Sequence, residues 1–223
     1  MTQLNMKRIY LYSKFERFWH WAQALLITML LVTGFEVHGV YTLFGFEEAV
    51  ELHATFGISW VVLYVFIAFW LLTTGEWKQY VPTTKRLLVV VRYYAYGIFR
   101  GEPHPVQKKR EAKHNPLQRL TYLGLASVLI PIMLATGLLY YYYNELALND
   151  LGLVANLHTA GAFLILIFYV VHVYMTTTGH SLTAHVQAMF SGWEEVEDEA
   201  QVEDWERAQK IEHVTPPPSS QPE

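Results

Sequence analysis

Four stretches of this chain contain no Asp, Glu, Lys or Arg: Phe18–Phe35, Leu52–Gly75, Leu120–Asn144 and Leu151–Trp193. A bilayer core is crossed by roughly 20 apolar residues in helical form. The first three stretches each supply one span. The fourth is too long for a single span and breaks naturally at Gly179. The pattern predicts an all-α integral membrane protein, a four-transmembrane-helix bundle with helices near residues 18–38, 50–75, 117–143 and 151–178. No secretory signal peptide is expected, because the first apolar run begins late and lacks a small-residue cleavage site.

Lys and Arg set the expected orientation. Four precede the first span (Lys7, Arg8, Lys14, Arg17), ten lie from Lys78 to Arg119, and Arg207 and Lys210 lie near the C-terminus. The loops 36–51 and 145–150 carry none and are acidic. The positive-inside rule places both termini and the long middle loop in the cytoplasm. Within that loop Leu87–Ile98 is apolar but too short to span, so it is expected at the membrane surface. Leu182, Val186, Met189 and Phe190 recur at helical spacing and predict an interfacial amphipathic helix over 181–192. Residues 1–193 then form the membrane domain. Residues 194–223 read as an acidic, Pro-rich cytoplasmic tail, with Trp193–Lys210 a candidate helix for a soluble partner. The net charge of −4 comes from this tail and is no signal for nucleic acid.

The chain has no cysteine. That excludes disulfides, thiolate-held iron–sulfur clusters and covalent C-x-x-C-H haem attachment, so any redox metal must rest on His, Met or Tyr. Four of the ten histidines lie inside spans: His20 in the first, His53 in the second, His158 and His172 in the fourth. Ionisable residues within a bilayer are costly and are usually functional. His158 and His172 are 14 residues apart; that is nearly four turns, so they share a face about 21 Å apart along the axis. Topology sorts the four by depth into His20 with His172 near the inner surface and His53 with His158 near the outer one. Two imidazoles on facing helices make a six-coordinate haem b site, with the paired histidines as iron ligands. Gly34, Gly57 and Gly161 fall on the histidine faces, where small residues admit a flat group; helix packing alone would also favour them. The other histidines, His38, His104, His114, His180, His185 and His213, read as solvated or surface groups.

These segments resemble the di-haem cytochrome b subunit family of nickel–iron hydrogenases, formate dehydrogenases (gamma subunit) and thiosulfate-reductase-type enzymes. The resemblance rests on Arg17-Phe18-Trp19-His20-Trp21, Glu51-Leu52-His53-Ala54-Thr55-Phe56-Gly57, Leu157-His158-Thr159-Ala160-Gly161 and Val171-His172-Val173-Tyr174, and spans about residues 10–193. It implies two non-covalent haem b groups on His20/His172 and His53/His158. It also implies a quinone site beside a K-x-N-x-x-Q-[KR]-like stretch, here Lys113-His114-Asn115-Pro116-Leu117-Gln118-Arg119, with Asn115, Gln118 and His172 as candidates. Asn115 could equally cap a helix that starts at Pro116. Arg17 and Arg119 are candidate partners of inner haem propionates, or simply topology determinants.

The expected function is electron transfer across a bacterial inner membrane, between the quinone pool and a redox partner subunit on the outer face. That partner would carry iron–sulfur clusters, c-type haems or a molybdenum or nickel centre. No catalytic residue is assigned to this chain. Two other classes compete: a stand-alone di-haem cytochrome that oxidises superoxide or another small donor, and a non-redox anchor or transporter whose histidines relay protons.

Overall fold

The computed structural model describes residues 6–102, 104–106, 113–146, 150–179 and 181–197. His180, His213 and the expected tail from residue 198 onward lie outside the described residues. Four helices are long and apolar enough to cross a membrane: Lys14–Val37 (α1), Phe46–Thr74 (α2), Pro116–Tyr141 and Gly152–Thr176 (α6). The third comprises α4 (Pro116–Gly124), a π-helical segment over Leu125–Leu129 and α5 (Ile130–Tyr141). The described residues fall into two compact units. One is helical and holds residues 18–70 and 124–178; the other holds the described parts of 1–17, 71–123 and 179–223.

In the helical unit the core is Trp60, Ile130, Met133 and Ile165, packed by Leu30, Tyr64 and their neighbours. Val62, Phe69, Phe163 and Val170 point outward. In water such a surface would aggregate; in lipid it is the expected exterior. The π segment has a local cause. Pro131 has no N–H to donate and its ring crowds the carbonyl four residues back. A wider turn just before it relieves that contact, and the Tyr64 hydroxyl donates to the Ala126 carbonyl at 2.8 Å.

The turn between α1 and α2 is organised by Glu36. One carboxylate oxygen accepts the backbone N–H groups of Leu43, Phe44 and Gly45 at 2.7, 2.8 and 2.8 Å. Gly39 and Gly45 take φ of 75° and 98°, a region that side chains other than glycine's resist. A carboxylate receiving several N–H groups substitutes for a folded loop backbone.

The second unit contains a two-stranded sheet that the sequence reading did not include. Met6–Tyr10 (β1) and Trp193–Glu197 (β2) pair antiparallel, with Arg8 opposite Glu195 and Tyr10 opposite Trp193. The candidate helix over Trp193–Lys210 does not begin as helix: the first acidic residues after the membrane domain are strand. The physical reason is cross-strand pairing of opposite charges and of aromatics; the Tyr10 and Trp193 rings meet edge-on at 5.3 Å. Gly192 makes the entry, with φ of 86°. A Cβ there would sit 2.7 Å from the Tyr12 carbonyl oxygen. The short helices α3 (Leu87–Ala95) and α7 (Ala184–Ser191) also belong to this unit.

A buried ion cluster ties its segments together. Ser13 and Glu16 form a reciprocal cap at the start of α1. The other oxygen of Glu16 accepts from Lys113 Nζ at 2.7 Å, and Glu76 lies 3.6 Å from the same ammonium. Burial pushes the Glu76 carboxyl above its ordinary pKa, while Lys113 pulls the other way. The native state therefore holds this proton more tightly than the unfolded chain does. Glu76 favours folding at low pH, and that contribution is lost as pH rises through its native pKa.

Two outcomes are expected. Lys113→Met strands two buried carboxylates and destabilises the protein by about 3 kcal/mol or more, read as a lower unfolding temperature in detergent; an unchanged midpoint would refute the cluster's role. Glu36→Ala exposes the amides of Leu43, Phe44 and Gly45 to fast hydrogen exchange, and Glu36→Gln, which still offers a carbonyl oxygen, retains much of their protection.

Candidate functional site

The helical unit brings its four histidines together in two pairs. The rings of His20 (α1) and His172 (α6) have centroids 6.1 Å apart. Those of His53 (α2) and His158 (α6) are 6.2 Å apart. Ile165 lies seven residues from both His158 and His172, and Trp60 seven residues after His53. Seven residues is about 10 Å along a helix, so the apolar core separates the two pairs.

The separations test what the pairs can hold. Metal–imidazole bonds are about 2 Å. Two imidazoles bound by ring nitrogens on opposite sides of one metal therefore place their centroids ~6.3 Å apart. Both pairs match. Among the described residues no group of three or more His, Cys, Asp or Glu converges. A group that brings most of its own ligand atoms, as haem does, would suit a site of two protein nitrogens.

The surroundings of His53 and His158 fix which nitrogen is available. Thr33 Oγ1 donates its single hydrogen to the Met29 carbonyl at 2.8 Å. It lies 2.9 Å from His53 Nδ1. With its hydrogen committed, the hydroxyl can only accept, so His53 carries its proton on Nδ1. Thr136 repeats the arrangement: it donates to the Ile132 carbonyl at 2.7 Å and lies 2.8 Å from His158 Nδ1. Both imidazoles thus keep an Nε2 lone pair for a metal. Both threonines are buried.

A glycine follows each threonine. A Cβ on Gly34 would stand 3.2 Å from His53 Cε1, and one on Gly137 would stand 3.5 Å from His158 Cε1. The Thr33-Gly34 pair therefore cradles the His53 imidazole, with the hydroxyl at its Nδ1 and the missing side chain admitting its edge, while at Gly137 an added Cβ would make only ordinary contact. The sequence reading took Gly34 for a flat cofactor's neighbour and missed Thr33 and Thr136 entirely. The Thr-Gly dipeptide is no signal by itself, since it recurs at Thr74-Gly75 and Thr178-Gly179. Gly57 faces open space, with nothing within 4 Å of an added Cβ. Gly161 faces Met133, whose sulfur lies 2.4 Å from such a Cβ, so it serves close packing of α6 against α5.

The other pair is surrounded by rings. His172 stacks on Phe168 at 5.5 Å, and Trp21 meets His20 edge-on at 5.3 Å. His20 Nδ1 is buried with no hydrogen-bond partner among the described residues.

The remaining candidates lie in the second unit. Asn115 and Gln118 form a reciprocal cap: the Gln118 N–H donates to Asn115 Oδ1 at 2.9 Å, and the Asn115 N–H to Gln118 Oε1 at 3.0 Å. Asn115 Nδ2 donates to the Tyr94 hydroxyl at 3.0 Å. Arg17 donates to the Phe190 carbonyl. Arg119 is fully buried and donates from Nε to the His114 carbonyl at 3.0 Å. His185, read as a surface group, pairs with Glu194 at 2.9 Å.

The family model of prokaryotic cytochrome b561 matches residues 11–192. The cytochrome YdhU of Escherichia coli strain K12 is 31% identical over 200 residues, covering 84% of this chain and 75% of that protein. A Rhodobacter capsulatus protein, named as a Ni/Fe-hydrogenase B-type cytochrome subunit, is 25% identical over 224 residues, covering 86% of this chain and 83% of its own. No solved structure matches. Four apolar helices, two facing histidine pairs and a match running nearly the length of the helical region agree: the chain belongs to the prokaryotic cytochrome b561 family, and is a multi-pass membrane cytochrome of the b type that works in electron transfer.

Proposed function

We propose that this chain carries two b haems, one on His20 and His172 and one on His53 and His158, and links a quinone pool to a redox partner subunit. The observation that carries the reading is the pair of imidazole separations, 6.1 and 6.2 Å, at two levels of one helical unit. When bound, haem b supplies reversible one-electron chemistry whose potential the protein tunes. His20, His172, His53 and His158 would hold the two haems, with the Nε2 nitrogens of His53 and His158 left available by Thr33 and Thr136. The apolar core around Trp60 and Ile165 excludes water between the two levels.

The partner follows from composition and from a relative. With no cysteine, this chain holds no thiolate-bound cluster of its own. The Rhodobacter relative is named as a hydrogenase subunit. By analogy the present chain docks a subunit with iron–sulfur clusters, c-type haems or a molybdenum or nickel centre on the outer face of the inner membrane. Quinone contact is assigned to the side-chain amides of Asn115 and Gln118. Their oxygens serve the helix cap, while Gln118 Nε2 and the second Asn115 Nδ2 hydrogen are donors of the kind a quinone carbonyl accepts. The segregation of Lys and Arg supports a topology with both termini in the cytoplasm.

Two experiments test the proposal. Reduced-minus-oxidised spectra with pyridine haemochrome quantitation of the purified chain should give about two non-covalent b haems per polypeptide, the number of axial pairs that bis-imidazole ligation allows. Alanine at His20, His53, His158 or His172 should each remove one haem signal, whereas His38→Ala and His185→Ala should keep both. Protein inserted in the membrane with ample haem supply, yet free of haem, would refute the reading. For orientation, a phosphatase fused within residues 39–45 should be active and one fused at the C-terminus inactive; the reverse pattern would invert the topology.

A further inference from the structure

Thr33 and Thr136 are placed to do more than hold two rings still. Each accepts the Nδ1 proton of a histidine from a neighbouring helix, at 2.9 Å for His53 and 2.8 Å for His158. Each has its own hydroxyl hydrogen committed to a carbonyl in its own helix, at 2.8 Å for Thr33 and 2.7 Å for Thr136. A hydroxyl that donates to a carbonyl is polarised into a better acceptor. An imidazole whose far N–H is so engaged is a more basic ligand, and a more basic ligand favours the oxidised state of the metal it binds. The other pair lacks this support. His20 Nδ1 is buried without a hydrogen-bond partner among the described residues, and His172 lies against the Phe168 ring.

From this asymmetry we infer that Thr33 and Thr136 are positioning residues that make the His53/His158 site the lower in reduction potential of the two. The inference rests on the two-haem reading above. It concerns the protein's part alone: two hydroxyl acceptors on one pair, none on His20, and a glycine beside Thr33 that lets the imidazole come within hydrogen-bond reach. Gly34 is part of the same device: a Cβ there would press on the Cε1 edge of His53 at 3.2 Å, whereas one on Gly137 would make ordinary contact with His158 at 3.5 Å.

The test is a potentiometric titration of the detergent-purified full chain, followed by b-haem absorbance, with haem content measured on the same samples. The wild type should resolve two components. Thr33→Val and Thr136→Val keep the shape and remove the hydroxyl acceptor, the Leu30 carbonyl remaining a second acceptor for His53. Each should raise the lower component about tenfold in its reduction constant, equivalent to about 59 mV for one electron, and leave the upper component in place. Thr33→Ser and Thr136→Ser restore the hydroxyl and should titrate as wild type. Release of one haem by a valine variant, with retention by the matching serine variant, supports the same hydroxyl requirement. Valine variants that keep two haems at unmoved midpoints overturn the inference. So does a shift of the upper component, or serine variants that behave as the valine ones do. Those results leave the two-haem reading standing, whereas a wild-type chain without haem removes both.

Discussion

An imidazole placed inside an apolar helical unit has two nitrogens and no water to satisfy them. That constraint organises the centre of this protein. An unpaired buried polar group is costly, so a buried imidazole gains from every nitrogen that finds a use. For His53 and His158 one nitrogen is met by a threonine hydroxyl, and the two rings stand with centroids 6.2 Å apart.

Much of the remaining architecture follows from holding two such pairs apart in one unit. His158 and His172 share a face because 14 residues close nearly four turns. The interval between them is filled by Ile165 and, from α2, Trp60. Small residues appear where rings come close, at Gly34 and Gly137, and where helices do, at Gly161 against Met133. These glycines look alike in sequence but answer different demands. The outward surface is left to large aliphatic and aromatic side chains, which suit lipid.

The spans were legible because absence of charge over some 20 residues has few explanations in a chain of this length. The histidines were legible because charge is costly at that depth and because topology assigns each a level. Thr33 and Thr136 were not legible for the opposite reason. A threonine in a span bonds back to its own helix in any fold, and nothing in the sequence marks the two whose oxygen also meets an imidazole. The β1–β2 sheet escaped for want of a local signal: its strands have five residues each and stand at opposite ends of the described chain. Asn115 and Gln118 show a third case. Their spacing carried both a ligand-site reading and a capping-box reading, and the hydrogen bonds present are those of the cap.

The two histidine pairs also differ in how the chain reaches them. Thr33 and His53 belong to consecutive helices, as do Thr136 and His158. Each threonine–histidine contact spans about twenty residues of sequence and needs only one helical hairpin to form. Contacts of short sequence separation close at low entropic cost. The His20–His172 pair instead joins the first spanning helix to the last and forms only when the whole unit is in place. The hairpins can therefore set the tautomers of His53 and His158 before the bundle closes, whereas the other pair depends on closure itself. A ligand bridging His20 and His172 would then stabilise the assembled unit as a whole, because its binding is linked to the most distant contact in the helical core.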